Sequence, residues 1–196
     1  MSWTLLSRYR EFLNTQFERL AARFAFLSPN TVTVISLLFS FVPAYFYYLG
    51  RLQVAAALLL VSGGLDVMDG AIARITGRVS SFGGFLDSTF DRVSDLAVLA
   101  GIALSQIVDW RVVLFTAFGS FMVPYCRARA EAAGAASMAV GIMERAERQL
   151  FLVAASLLHP MIDQVNLLEI AVGIVGLLAW ITVVQRIVAA RKQLGG

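Results

Sequence analysis

The 196 residues contain one cysteine, so no intramolecular disulfide can staple the fold. That residue, Cys126, is flanked by Tyr125 and Arg127 and reads as a packing residue. Histidine is equally scarce: His159 has no partner of its kind and reads as a helix-end residue, not as a metal ligand or catalytic group. Proline occurs four times, and no Pro/Ser-rich linker, low-complexity run, internal repeat or compositional break divides the chain. One domain over residues 1–196 is therefore expected. Charge is also thin, at 15% against 59% hydrophobic residues with a mean hydropathy of +0.76, which excludes an ordinary soluble domain. No nucleic-acid-binding module is present, and the net charge of +3 reads as membrane topology and anionic ligands.

What remains is an all-α integral membrane pattern: six transmembrane helices over about residues 30–190, preceded by an amphipathic helix. Residues 2–26 carry Arg8, Arg10, Arg19 and Arg23 among apolar residues at helical spacing, as expected of a helix lying in the membrane interface. The segment lacks the uncharged core and small-residue cleavage site of a signal peptide and is expected to be retained. Ser28-Pro29 starts the first span, with Ser28 as N-cap and Pro29 in the first turn. Spans are expected over Thr31–Leu49, Leu52–Ile75, Ser81–Ile107 and Val112–Tyr125, the last with its helix continuing through Arg127, Arg129 and Glu131. A fifth follows Arg148 and reaches His159-Pro160, and a sixth covers Leu167–Val188. Of 16 Lys and Arg, only Arg51 and Arg111 fall at turns on the far side. The other fourteen (16 − 2) place both termini and the active site in the cytoplasm, in a multi-pass protein of the cell membrane.

Four aspartates, Asp66, Asp69, Asp87 and Asp91, interrupt the second and third spans. Each costs about 2.5 to 3.5 kcal/mol at a helix centre, so together they cost roughly 10 to 14 kcal/mol if left uncompensated in lipid. At 100° per residue Asp66, Asp69, Gly70, Ala73, Arg74 and Gly77 form one stripe, and Gly83, Asp87, Asp91, Ser94 and Asp95 form another on the next helix. A turn near Gly77–Ser81 would let the stripes face each other, with Arg74 and Arg78 alongside. Carboxylates without histidine or cysteine are hard ligands suited to Mg²⁺ or Mn²⁺, with room for one or two ions, and such ions commonly clamp phosphates. Gly70 and Gly83 would let a bulky anion approach the backbone, and Arg74 would pair with phosphate. A buried ion-pair network is the alternative, but two arginines cannot neutralise four aspartates.

The spacing Asp66-x2-Asp69-Gly70-x2-Ala73-Arg74-x8-Gly83-x3-Asp87-x3-Asp91 resembles, at every fixed position, the signature of the CDP-alcohol phosphotransferase family. The resemblance implies a membrane enzyme that transfers a phosphatidyl-type group from a CDP-linked lipid to an alcohol, releasing CMP. It implies Asp66, Asp69 and Asp87 as metal ligands holding two ions and Asp91 as a ligand or the general base. Gly70, Ala73, Arg74 and Gly83, with Arg78 beside them, would line the CDP site. A Pro-Asn-x-x-Thr opening of the first span is common in the family, which adds Asn30 and Thr33 to that site, with capping alone as the other reading. Related enzymes are dimers, so a homodimer is expected.

A second anion site is expected from Arg127, Arg129, Arg145, Arg148 and Arg186, which map near the cytoplasmic ends of spans four to six, at the depth of the aspartates. The bland reading is positive-inside topology with pairing to Glu131, Glu144 and Glu147. The stretches Tyr125–Glu131 and Val140–Arg148 are similar to the phosphatidylinositol-phosphate synthase branch, including its archaeal relatives, which uses inositol 1-phosphate as acceptor. Carried over, Arg127, Arg148 and Arg186 become acceptor-phosphate contacts. Arg127 stands where the branch often has lysine, which keeps the charge, and the choice between Arg145 and Arg148 stays open. Glycerol 3-phosphate is the rival acceptor, and an ion or proton transporter is the rival class, disfavoured because the aspartates cluster instead of threading the bilayer. Diacylglycerol and archaeol are equally compatible lipid tails, as are Mg²⁺ and Mn²⁺.

Overall fold

The computed structural model of the chain describes residues 17–136, 138, 140–162 and 164–195. Over these, six helices carry the fold: α1 (Pro29–Tyr48), α2 (Leu52–Ile75), α3 (Ser81–Leu104), α4 (Trp110–Ala132), α5 (Arg145–Leu158) and α6 (Leu167–Leu194). Residues 17–23 are helical, His159–Met161 form a single 3₁₀ turn, and no strand occurs among the described residues. The interfacial helix expected over 2–26 falls outside the described residues from 2 to 16.

Short-range chemistry sets most of the helix ends. The Ser28 Oγ accepts the Thr31 N–H at 3.1 Å, so Ser28 caps α1 with Pro29 as its first residue. Asp109 Oδ1 accepts the Arg111 N–H at 2.8 Å at the start of α4, and Asn166 Oδ1 accepts the Glu169 N–H at 3.1 Å at the start of α6. Gly50 and Gly77, at φ +68° and +65°, take the left-handed conformation that ends α1 and α2. Some boundaries differ from expectation: α3 stops at Leu104 and not at Ile107, and α6 runs past Val188 to Leu194. α5 begins at Arg145 and not after Arg148, because the Glu144 N–H donates to Glu147 Oε2 at 3.0 Å and turns a charged stretch into a helix start.

The chain divides into two compact units: Met1–Phe41 with Val61–Ser94, and Val42–Leu60 with Asp95–Gly196. In the first, Ala21, Val32, Ala71 and Ile72 form the core, with Leu27 packed on it. The second has a larger core that includes Tyr47, Leu59, Leu99, Ile102, Leu168 and Val172. Its helices come close at small residues. A Cβ on Gly101 of α3 would collide with the Ala44 carbonyl of α1. Thr116 on α4 donates to the Val172 carbonyl on α6 at 2.8 Å. Tyr47 and Ser156, both fully buried, are joined by a 2.9 Å hydrogen bond, while the Ser156 hydroxyl donates to the Leu152 carbonyl at 2.7 Å. The single hydroxyl proton of Ser156 is therefore committed, and Tyr47 is the donor in the pair.

Large apolar side chains such as Leu38, Leu60, Phe118, Leu177 and Val184 point outward. In water each would forfeit about 25 cal/mol per Å² of apolar surface, a cost that vanishes in hydrocarbon. Among the described residues three helices, α1, α2 and α6, are long and apolar enough to cross a membrane. The protein is an α-helical, multi-pass membrane protein. α3 and α4 have the length but carry charge: Asp87, Asp91, Arg92 and Asp95 in α3, and Arg127, Arg129 and Glu131 toward the end of α4. α5 has 14 residues, about 21 Å of helix, against a hydrocarbon thickness of about 30 Å.

The α1–α3 approach is testable. Replacing Gly101 with Ala forces backbone to move and should lower stability by about 1 to 3 kcal/mol. Gly84→Ala, where an added Cβ meets nothing within 4 Å, should cost no stability. Thermal unfolding of the two variants in one detergent makes the comparison, and equal melting temperatures would show that the helices tolerate separation.

Candidate active site

Within the first unit, α2 and α3 bring carboxylates together. Asp66, Asp87 and Asp91 each offer an oxygen, and these oxygens lie within 4.8 Å of one another. All three are half-buried. Asp91 also faces Arg92, whose Nη1 lies 3.5 Å from its Oδ2 and donates to the Ser88 carbonyl at 2.5 Å. Asp69 stands apart from the trio. It is rotated about 60° from Asp66 around the helix axis, is only 4% exposed, and its Oδ2 has no hydrogen-bond partner among the described residues. Asp87 and Asp66 are nonetheless close enough to act on its charge.

Asp69 and Asp87 share a cleft of about 310 Å³, lined also by Asn30, Thr33, Gly70, Ala73, Arg74, Arg78 and Gly83. Its volume lies within the range of about 300 to 1,000 Å³ found for small-molecule sites. Every residue expected to line a nucleotide site thus borders one cleft. The packing shows how the glycines work. An added Cβ on Gly70 would come within 3.2 Å of the Arg74 Nη1, and one on Gly83 within 3.3 Å of the Asn30 Oδ1 and 3.1 Å of the Ser80 Oγ. Glycine at these positions lets a guanidinium and an amide lie against helix backbone, where polar donors converge. Ser80, Val79, Pro29 and Gly84 also border the cleft and were not anticipated. Ser80 could have been found: it precedes Gly83 by three residues at the start of α3, and its Oγ accepts the Gly83 N–H at 3.0 Å, an N-cap spacing.

The donor set suits a hard divalent cation. Among the described residues three carboxylates converge without nitrogen or sulfur ligands, and a fourth carboxylate beside them has a buried oxygen with no hydrogen bond.

The second unit holds the other arginines. Arg186, 4% exposed, donates from Nε to the Val140 carbonyl at 2.8 Å and from Nη1 to the Val123 carbonyl at 2.6 Å. Arg127 and Arg148 both lie close enough to act on its charge, so the three predicted acceptor contacts share one neighbourhood, with Glu144 as a counter-charge. Arg127 is exposed and pairs with Glu131 at 3.0 Å. The Met138 N–H and the Arg127 guanidinium together hold the Glu131 carboxyl below the usual carboxylate range. Arg148 is buried and lies 3.4 Å from Asp95, which also receives Arg145 at 3.1 Å. Arg129 is exposed. The Asp95 pairing was missed: it joins residues fifty positions apart, and only its place on the α3 stripe hinted at a role.

A family model described as CDP-alcohol phosphatidyltransferase matches residues 26–188. The archaetidylinositol phosphate synthase of Pyrococcus horikoshii is 44% identical over 192 residues, covering 97% of this chain and 98% of that protein. The protein of the same name from Methanothermobacter thermautotrophicus is 35% identical, covering 97% and 96%. Among solved structures, the phosphatidylinositol phosphate synthase PgsA1 of Mycobacterium tuberculosis with CDP-DAG bound is similar with a TM-score of 0.80. It is 28% identical, and the match covers 93% of this chain and 95% of that one. The same enzyme in complex with manganese and citrate gives a TM-score of 0.81 at 28% identity, covering 93% and 90%.

The carboxylate trio makes a direct prediction. Asp66→Asn or Asp87→Asn should weaken Mn²⁺ binding to the purified protein by roughly tenfold or more, the loss of one charge-assisted contact. Electron paramagnetic resonance of free Mn²⁺ measures it without any turnover. Unchanged affinity in both variants would remove the trio as a cation site.

Proposed function

Because the chain belongs to the CDP-alcohol phosphatidyltransferase family, we propose that it transfers a phosphatidyl or archaetidyl group from a CDP-linked lipid to inositol 1-phosphate, releasing CMP. The observation that carries this reading is the convergence of Asp66, Asp87 and Asp91 in the same unit as a cleft lined by Asp69, Asp87, Arg74 and Arg78. That is an acidic cation site together with cationic donors for phosphate. The acceptor follows from the relatives named as inositol phosphate synthases and from the neighbourhood of Arg127, Arg148 and Arg186.

In this reading Asp66, Asp69, Asp87 and Asp91 hold Mg²⁺ or Mn²⁺, two ions in all. A divalent cation bound there supplies charge neutralisation of the pyrophosphate. The residues of the chain do the rest. Arg74 and Arg78 bind phosphate oxygens, Asn30 and Thr33 orient the nucleotide, and Gly70, Ala73 and Gly83 admit it close to the backbone. The acceptor hydroxyl attacks the β-phosphorus, the bond from that phosphorus to the oxygen bridging to CMP breaks, and Asp91 takes the hydroxyl proton. Arg127, Arg148 and Arg186 bind the phosphate that the acceptor already carries. In this reading α1–α6 form a six-helix transmembrane bundle over about residues 30–190, in which α5 reaches across only together with the 3₁₀ turn His159–Met161 that extends it; the single domain runs the length of the chain, and an amphipathic N-terminal helix lies in the interface. Arginine distribution supports cytoplasmic termini and a cytoplasmic active site in the cell membrane. A homodimer is part of the same reading, by family resemblance.

The test is CMP release by purified protein in detergent, with CDP-diacylglycerol and CDP-archaeol as alternative donors and a panel of acceptors. Inositol 1-phosphate should be turned over, and unphosphorylated inositol rejected, because buried arginines would otherwise face an empty site. Arg127→Ala, Arg148→Ala and Arg186→Ala should each raise the KM for inositol 1-phosphate roughly ten- to a hundredfold and leave that for the CDP-lipid little changed. Equal turnover of inositol and inositol 1-phosphate would refute the second anion site. A clear preference for glycerol 3-phosphate would change the acceptor and leave the cation site standing.

A further inference from the structure

The two Nη arms of Arg148 are treated differently by the fold. The side chain is 7% exposed, and Nη2 donates to Asp95 Oδ2 at 3.4 Å. Nη1 is buried and has no hydrogen-bond partner among the described residues. A charged donor left in that condition is costly away from water. Arg148 and Asp95 border a small cavity of about 20 Å³, room for one water and far too little for a phosphate. Most of its wall is apolar, from Leu59, Val98, Leu99, Leu152 and Val175, but α4 adds two hydroxyls, Thr116 and Ser120, spaced i and i+4. The two are not equivalent. Thr116 Oγ1 has already given its proton to the Val172 carbonyl at 2.8 Å, so it offers only lone pairs. Ser120 is 6% exposed and makes no hydrogen bond among the described residues, so its hydroxyl can give or accept.

These groups select what can bind among them. The occupant must accept from a guanidinium N–H and donate to a threonine oxygen, within the space of one small molecule. A halide ion accepts but cannot donate, and a cation cannot accept and is repelled by the guanidinium. Water does both. We propose that one ordered water fills this cavity, accepting from Arg148 Nη1, donating to Thr116 Oγ1 and sharing a third hydrogen bond with Ser120 Oγ. Three such bonds are the usual complement of a buried water. Through that water Ser120 is a positioning residue. Asp95 holds Nη2 and the water holds Nη1, so the plane of the Arg148 guanidinium is fixed at both ends and meets the acceptor's phosphate in one orientation. The positioning role rests on the acceptor reading given above; the water site stands on the cavity and its polar groups alone.

A crystal structure of the full chain at a resolution that shows ordered waters tests the site, with crystals grown in chloride and in bromide. Density for one water within hydrogen-bonding distance of Arg148 Nη1 and both hydroxyls is expected in each. A cavity without density, or an anomalous bromide peak inside it, overturns the water site. Steady-state kinetics test the positioning. Ser120→Ala should raise the KM for inositol 1-phosphate roughly two- to tenfold, the worth of one neutral hydrogen bond, and Ser120→Val, which fills the water's place, should raise it further. The KM for the CDP-lipid and the Mn²⁺ affinity should stay at wild-type values, which a general loss of structure would not allow. Ser120→Thr keeps the hydroxyl and should restore the acceptor affinity. The alanine variant removes a single oxygen and carries the kinetic test if the valine variant inserts poorly. In the Arg148→Ala background Ser120→Ala should add little, because the residue it positions is gone. If Arg148→Ala raises the acceptor KM and the Ser120 variants do not, or if the two effects simply multiply, the positioning role is overturned and the acceptor reading stands. If Arg148→Ala leaves the acceptor KM unchanged, the positioning role falls together with that reading of Arg148, and the density alone decides the water.

Discussion

Carboxylates in apolar helices are the constraint on which everything else depends. An aspartate at membrane depth is tolerated only where something answers its charge, and this chain answers it in two ways. In one unit, Asp66, Asp87 and Asp91 are gathered so that a multivalent cation can bind them, and Asp69 beside them keeps a buried oxygen uncommitted. In the other, Asp95 is answered directly by Arg145, Arg148 and Gln149. The same residue type on one helix thus serves an exchangeable partner at one end and permanent partners at the other.

The glycines follow from the same constraint. A site that receives a polyanion needs donors that reach it, and side chains on tightly packed helices have little room to do so. At Gly70 and Gly83 the missing Cβ is the space in which Arg74 and Asn30 lie. At Gly101, by contrast, the missing Cβ admits a carbonyl from α1, and its consequence is packing. Composition alone does not separate these two uses of glycine; the neighbour that fills the space does.

Much of this was legible in the sequence, for local reasons. The ends of α1, α2 and α3 follow from Ser28-Pro29, Gly50, Gly77 and Ser80, where the chain's own next few residues decide the backbone. The residues of the cleft were legible because the signature fixes them on two adjacent helices whose turn is short. Two features were not. The fifth helix was expected only after Arg148 because residues 144–148 are so charged, yet the Glu144 N–H bonded to the Glu147 carboxylate starts the helix at Arg145, and Asp95 pairs Arg145 and Arg148 from fifty positions away. Asp69 was grouped with the other aspartates by the stripe alone, and periodicity could not show that it lines the cleft beside Thr33 together with Asp87, with an oxygen that makes no hydrogen bond among the described residues.

The hydrogen bond from Tyr47 to Ser156 has a consequence for how the sequence can drift. Because the serine proton already belongs to the Leu152 carbonyl, the serine oxygen can only accept, and the tyrosine hydroxyl can only give. Loss of Ser156 alone strands the tyrosine hydroxyl in a fully enclosed apolar core, whereas loss of Tyr47 alone leaves the serine bonded to Leu152. The coupling is one-sided: across relatives alanine should stand at 156 only where 47 has already lost its hydroxyl, while phenylalanine at 47 can precede any change at 156, and that ordered covariation between α1 and α5 marks their contact without any coordinates.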